Sequence, residues 1–379
     1  MKKIIYLANT RLPTEKAHGF QSMKTCESFS RAGARVTFVA PYRKNIITED
    51  PFAFYSIPKI FKIVTVPSLD SLVLGPIGFL IQRGTFISSA MIFSLFNRGD
   101  FYYSRDIVLS FLLSFISRNV VFEDHEPLRN HTLYAFFLKR IPYKVIVAAH
   151  LRQLYEEMGV PLGRVIHAPN GVDLEAFNAT PRKHEIWNEK YGIEKGNKIA
   201  LYAGHFYQWK GVYTVIDAIR FLRPGVSVVL VGGTLQGSKE IQQYADERDS
   251  SITLIPFMPR GELVQLVKSA DVLLLPNTAK EERSQMYTTP LKLFEYMASR
   301  VPIVASRLPS FEPYIHEKSA EFCDPDDPES LAQAITKVLT DNKRAEDLQN
   351  NAYHDVAQFN WQLRGRKILE SLSHIKATT

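Results

Sequence analysis

The sequence predicts an α/β protein built from two tandem domains, each a parallel sheet covered by helices on both faces. Three observations predict it. Short apolar runs rich in β-branched residues alternate with longer helical patterns. A polar segment at 178–198 interrupts this rhythm, which then starts again. The chain has 379 residues, 45% hydrophobic and 22% charged, enough for two or three ordinary domains with real cores. That composition excludes a mainly disordered or fibrous chain, and no fixed-period repeat runs through it.

The elements follow in order. Residues 4–8 read as a buried first strand and not as the core of a signal peptide, because the apolar run is short and Arg11 closes it. A helix is expected over 21–32, closed by Gly33, then a strand at 36–40. Further strands are expected at 101–103, 120–122 and 145–148. Beyond the polar segment, strands fall at 199–203, 226–231, 252–255, 272–275 and 303–305. Helices fall between them at 212–221, 262–269 and 290–298, followed by one at 330–339. Gly232-Gly233 ends one strand and Pro276-Asn277 another, as expected where strand ends open onto a ligand crevice. The pattern at 361–373 reads as a helix returning to the first domain. The expected division is therefore 1–177, 178–360 and a crossing helix at 361–379, with the strand ends of two facing sheets around one cleft.

The formal charge of +7 sits wholly in the first half: residues 1–180 hold 21 Lys+Arg against 14 Asp+Glu. Such a surface suits an anionic partner such as a lipid headgroup or a pyrophosphate carrier. Nucleic acid is disfavoured, since the bases are dispersed and not interleaved with aromatics. The charge-free windows 71–82, 84–97 and 107–117 are each shorter than the roughly 18–20 residues a membrane span needs. The expectation is that none spans, leaving peripheral contact through the basic half. Two distant cysteines, Cys26 and Cys323, allow neither a disulfide framework nor a zinc spacing and imply a reducing, cytoplasmic setting.

Chemistry concentrates in the second half. Residues 287–298 are a polar turn, a proline suited to the first helical position, and a helix that Thr288 or Thr289 can cap. The unpaired amides near this start, around 289–291, with the positive end of the helix dipole, make an anion site. Glu295, more than a turn in, can accept two hydroxyl hydrogen bonds side by side, as a ribose presents them; a solvated glutamate is the bland alternative. Lys210 lies where a helix begins, against the dipole, which an intervening anion explains better than an idle surface lysine.

These residues, with the continuation 302–306, resemble the donor-binding signature of retaining GT-B glycosyltransferases of family 4 (glycosyl transferases group 1). The resemblance extends along nearly the whole chain. The loop from Tyr202 through Gly204 and His205 to Lys210-Gly211 resembles the family's glycine-to-lysine loop, with His205 where many relatives carry an arginine. The segment 11–24, holding Lys16, His18 and Gly19, resembles the loop after strand one. His125, after the strand at 120–122, stands where the family places a histidine contacting the donor sugar. Asn170-Gly171-Val172-Asp173 resembles the turn before the interdomain linker, and 324–329 a loop capping the helix at 330–339.

The resemblance implies two Rossmann-like domains, the first binding the acceptor and the second a nucleotide sugar. It implies His125 and Lys210 as catalytic residues. It also implies a donor site of Gly19, Gly204, His205, Lys210, Thr289, Pro290, Leu291, Lys292 and Glu295, with acceptor contacts from Lys16 or His18. No metal is implied, since Lys210 and the helix amides can hold the leaving diphosphate, and Asp324-Pro325-Asp326 reads as a helix cap. The expected reaction is retaining, hexosyl, metal-independent transfer to a lipid-linked or saccharide acceptor in envelope glycolipid or polysaccharide synthesis, at the inner face of the membrane. One departure is Tyr287, where the family carries a first glutamate that recognises the sugar; Glu281 or Glu282 can stand in. A nucleotide-sugar epimerase of the same fold and a non-catalytic subunit are the alternatives. A dinucleotide oxidoreductase is disfavoured, since no G-x-G-x-x-G follows the first strand.

Overall fold

A computed structural model describes residues 1–377, with side chains through His374. Two compact units emerge: Met1–Asn170 joined by the segment from Trp361, and Gly171–Asn360. The expected boundary after 177 lies seven residues too late, for a physical reason. Val172 bridges to Asn360, Asp173 caps the helix Leu174–Ala179, and Phe177 of that helix is buried in the second core.

The first unit holds strands β1 (Lys3–Leu7), β2 (Arg35–Pro41), β3 (Lys62–Val66) and β4 (Phe101–Ser104). It continues with β5 (Val120–Asp124), β6 (Tyr143–Ile146) and β7 (Val165–His167). Its helices are α1 (Ala17–Arg31), α2 (Pro51–Phe54), α3 (Gly75–Phe96), α4 (Ile107–Leu113), α5 (His131–Arg140) and α6 (Leu151–Glu157). The sheet is wholly parallel, in the order β3-β2-β1-β4-β5-β6-β7. Right-handed crossovers put α1 on one face and α3, α4 and α5 on the other.

The second unit opens with α7 (Leu174–Ala179) and α8 (Ile186–Glu189). Its strands are β8 (Lys198–Ala203), β9 (Val226–Val231), β10 (Ile252–Ile255), β11 (Val272–Leu275), β12 (Ile303–Ser306) and β13 (Glu321–Cys323). Between and after them lie α9 (Val212–Ala218), α10 (Leu235–Asp246), α11 (Arg260–Ser269), α12 (Leu291–Ala298), α13 (Pro328–Thr340) and α14 (Asn342–Val356). Its sheet is parallel in the order β10-β9-β8-β11-β12-β13, with an apolar cluster on each face. The last helix, α15 (Trp361–Ala377), packs on α1 of the first unit.

Each sheet reverses strand order once, between β1 and β4 and between β8 and β11. The crevice outside the carboxyl ends of such a pair is where open α/β sheets bind ligands.

Two expectations need correction. The helix expected at 21–32 begins at Ala17, so His18 and Gly19 sit in its first turn and not in a loop. The windows 71–82 and 84–97 are one rod: a 3-10 turn at Leu72–Leu74 runs into α3, and Leu72–Phe96 is long and apolar enough to cross a membrane by length and composition. Arg83 does not break it, because its guanidinium turns back to Asp106 at 2.8 and 2.9 Å.

Candidate active site

In the second unit the residues singled out from sequence gather at the β8/β11 switch point. β8 ends at Ala203, and the chain turns through Gly204 and His205 into the short helix Gln208–Lys210. Gly211 caps α9 with φ +71°, and a Cβ there would lie 1.7 Å from the carbonyl oxygen of Pro276, just past β11. Only glycine fits both the left-handed backbone and this close approach, which fixes Lys210 beside the end of β11. The side chains before it form a ladder: His205 stacks on Tyr207 at 5.3 Å, and Tyr207 on Trp209 at 6.4 Å. Lys210 Nζ lies 5.1 Å from the Trp209 ring centroid, and the Arg283 guanidinium 4.6 Å from it.

α12 presents its start to the same place. Pro290 occupies the cap position itself, and neither threonine caps the helix as expected. Thr288 Oγ1 donates to the carbonyl of Arg283 at 2.7 Å, and Thr289 Oγ1 lies 3.5 Å from the Tyr314 hydroxyl. The side chains have turned away from the first-turn amides, which suits a helix start built to receive an outside acceptor.

Lys292 is the pivotal group. It is 7% exposed, its ammonium lies 3.8 Å from the centroid of the Tyr202 ring, and Nζ has no hydrogen-bond partner. Its aliphatic stem flanks Gly204, where a Cβ would meet Cδ at 4.0 Å. Burial, with Lys210 nearby, pushes the Lys292 amine well below its ordinary pKa. Burial, with Arg283 nearby, brings Lys210 down to about 8. Two crowded, desolvated amines of like sign are costly alone, and an anion between them relieves that cost. Asn277, directly after β11, adds a fully buried amide whose nitrogen and oxygen both lack partners.

Glu295 shares the face of Lys292 one turn on. Its carboxylate is ion-paired with Arg260, the first residue of α11, so it is not the solvated glutamate of the bland alternative. Sequence reasoning missed Arg260, yet the signal was there: a cation opening a helix, the anomaly that singled out Lys210. Arg283 carried a weaker signal, in the charged run 280–283. Of the stand-ins for the missing glutamate, Glu281 is taken by Arg283 Nε at 2.9 Å, and Glu282 accepts from the Tyr287 hydroxyl at 3.4 Å. Asp327 caps α13 through the amides of Glu329 and Ser330, and Asp326 binds the Thr278 hydroxyl and the Ala279 amide.

In the first unit a second cluster forms at the β1/β4 switch point. Glu123, fully buried on β5, accepts from Gln21, the Tyr103 hydroxyl and Arg364 (2.9 Å), and its Oε1 meets His125 Nε2 at 2.7 Å. Arg105, just past β4, donates to Gln21 Oε1 at 3.0 Å and to the carbonyl of His18 at 3.3 Å. Burial and Arg105 lower both His18 and His125 to about 4, so both rings are neutral near pH 7. Lys16 is exposed at the start of α1, close enough for its charge to act on His18. Gly19 is demanded by internal packing: a Cβ would lie 2.3 Å from the Tyr55 hydroxyl.

Residues 183–355, inside the second unit, match the family of glycosyl transferases group 1. The chain is similar to that family over this stretch. It is 24% identical over 220 residues to a D-inositol 3-phosphate glycosyltransferase of Corynebacterium urealyticum, covering 55% of this chain and 50% of that one. It is 21% identical over 192 residues to TuaC of Bacillus subtilis, named a putative teichuronic acid biosynthesis glycosyltransferase, covering 50% of this chain and 46% of that one. The chain thus matches about half the length of these curated relatives. Across the whole chain, its structure is similar to that of HepE of Anabaena in complex with UDP, with a TM-score of 0.78 and 18% identity over 98% of this chain and all of that one. HepE has also been solved with UDP-glucose. The fold is that of the GT-B glycosyltransferases, and the buried lysines, the uncapped helix and Glu295 all lie within the matched residues 183–355.

Proposed function

We propose that this protein is a retaining glycosyltransferase that moves a hexosyl group from a nucleoside-diphosphate sugar to an acceptor hydroxyl. The observation that carries the reading is the unpartnered, buried ammonium of Lys292 beside Lys210 at an uncapped helix start. Such a pair is costly to maintain unless an anion of two or more charges occupies it.

The chemistry follows from that placement. The bond between the anomeric carbon and the diphosphate oxygen breaks, and negative charge grows on the leaving group. Lys210, Lys292 and the first amides of α12 meet that charge without reorganising. The acceptor hydroxyl attacks from the face the diphosphate leaves, and its proton passes to the departing phosphate oxygen. Two ammonium groups supply the countercharge, so a metal-independent reaction fits the residues present. Glu295 takes the ribose hydroxyls, with Arg260 holding it in place, and His125, neutral and oriented by Glu123, contacts the sugar. Lys16 and His18 take the acceptor-facing roles. UDP is the nucleotide to try first, since it is what HepE holds in its solved complexes. The likeness to TuaC supports an acceptor in envelope polysaccharide or glycolipid assembly.

The test measures UDP binding and then transfer from UDP-sugars to lipid-linked and free saccharide acceptors. UDP binding with acceptor-dependent release of UDP supports the reading, and Lys210→Ala should lower turnover about a hundredfold. Conversion of the donor sugar without acceptor would instead indicate an epimerase. Binding without turnover would indicate a non-catalytic subunit.

A further inference from the structure

The first unit carries a surface that donor chemistry leaves unexplained. α3 packs on its sheet through a single stripe, Gly78, Gln82, Phe86, Ala90 and Ser94, all buried. A helix that only covers a sheet is polar on its outer side. Here ten large apolar side chains between Leu72 and Phe96 are exposed, Val73 at 94% and Phe96 at 83% among them. Arg83, the one charged residue of α3, is spent on Asp106. Two of its hydroxyls are spent too: Thr85 donates to the carbonyl of Ile81 and Ser88 to that of Gly84, both at 3.0 Å. With its one charge and these hydroxyls satisfied within the protein, the outer face is suited to hydrocarbon more than to water.

The patch continues sideways and ends in positive charge. α3 packs beside α4, and α4 beside α5. Around them Phe115 and Phe136 are exposed, the first edge-on to Phe111 and the second tilted against it. Arg98 past α3, Arg118 past α4, and Lys139 and Arg140 at the end of α5 are exposed, and the Arg140 guanidinium lies 4.4 Å over Phe115. Of the nearby carboxylates, Asp106 is paired, Glu123 and Asp124 are buried, and the exposed Asp100 accepts from the Lys3 amide at 2.8 Å. An apolar face rimmed by cations complements the acyl and headgroup layers of an anionic membrane.

We propose that the outer face of α3, α4 and α5 docks on an anionic lipid bilayer, with α3 lying in the plane of the interface. It lies there and does not cross, because Gln82 exchanges two hydrogen bonds with Asn9 (3.0 and 2.8 Å) and Arg83 holds Asp106, tying the rod along its length to the sheet. The proposal rests on this face alone and stands whether or not sugar transfer is demonstrated.

The full chain is sedimented with phosphatidylcholine vesicles and with vesicles containing phosphatidylglycerol. The expected result is binding to the anionic vesicles, weakened by raised salt. Val73→Glu/Ile77→Glu and, separately, Arg98→Glu/Arg118→Glu should each reduce the bound fraction about tenfold. All four side chains are exposed, so thermal melting and UDP affinity in solution should stay at wild-type values. Equal binding of wild type and V73E/I77E would overturn the proposal. So would a concentration-dependent dimer that V73E/I77E abolishes in a chain that ignores vesicles, which would make the face an interface between copies.

Discussion

Arg260 and Glu295 are joined by an ion pair between the first residue of α11 and the second turn of α12. A carboxylate only 9% exposed is thereby held and aimed, while its second oxygen is left to accept a further hydrogen bond. The pair binds two helices that leave different strand ends, so it sets the site's shape as well as its charge.

The first prediction follows from it. Glu295→Gln keeps the shape but removes the carboxylate charge and replaces one strong acceptor with an amide, while Arg260 still has Asp173 as a countercharge. UDP affinity should fall about tenfold by calorimetry, roughly 1.4 kcal/mol. An unchanged Kd would remove Glu295 from nucleotide binding.

A second prediction concerns pH. Lys210 titrates at about 8 in the free protein, and Lys292 is held well below its ordinary value, so each loses charge as pH rises. A diphosphate favours the charged form and raises both pKa values again. Binding should weaken as pH rises past about 8 and should take up protons there. Calorimetry in two buffers of different ionisation enthalpy reads that uptake directly, and Lys292→Met should reduce it.

A third concerns His125. Its ring is held near 4 by burial and Arg105, and Glu123 fixes its orientation. The pH–rate profile should show no histidine inflection between about 5 and 7. An inflection in that range that vanishes in His125→Gln would show a ring that titrates in turnover.

How much was legible in the sequence depended on the range of the interaction. Strands such as β8, β9 and β11 announced themselves through apolar runs with β-branched residues, Lys210 through its charge at a helix start, Glu295 through a carboxylate more than a turn into an apolar helix, and Lys292 through the family's donor signature. β3, β7 and β13 were missed because they are short strands at sheet edges, β3 and β13 opening on a charged residue, Lys62 and Glu321. α3 was split at Arg83 because its partner, Asp106, lies far along the chain. The capping threonines failed for the same reason: Thr289 lies beside Tyr314, a neighbour that local spacing cannot reveal. Partners brought in by topology are the part that a linear reading loses.

Gly211→Ala gives a fourth prediction. The residue has φ +71° and presses on the Pro276 carbonyl, so a methyl group meets both backbone strain and a hard clash. Unfolding of the second unit should be destabilised by on the order of 3 kcal/mol. Any folded fraction should bind UDP less well, because Lys210 moves with the loop. Denaturant melts with and without saturating UDP separate the two effects.

The last prediction concerns the first unit, where Arg364 on α15 meets Glu123 at 2.9 Å with both side chains almost wholly buried. The neighbourhood is built around a charged carboxylate: Gln21 and Tyr103 donate to it, and Arg364 also donates to Thr25 Oγ1 at 3.2 Å and to the carbonyl of Pro169 at 2.9 Å. Removing the guanidinium alone leaves a desolvated charge, and breaking such a pair costs about 3–5 kcal/mol. Arg364→Met should therefore destabilise the first unit by that order, read from denaturant unfolding at neutral pH. The pH dependence gives the sign. Arg364 and His125 hold Glu123 well below the usual carboxylate range. Its contribution is present above the ordinary carboxylate pKa and is lost as pH falls towards the depressed value. In Arg364→Met the Glu123 pKa rises, the carboxyl takes a proton sooner, and the gap between variant and wild type should narrow on acidification. Adding Glu123→Gln to Arg364→Met should recover part of the loss at neutral pH, since it removes the stranded charge. A double variant as unstable as the sum of the two single changes would instead show that α15 is held by packing alone.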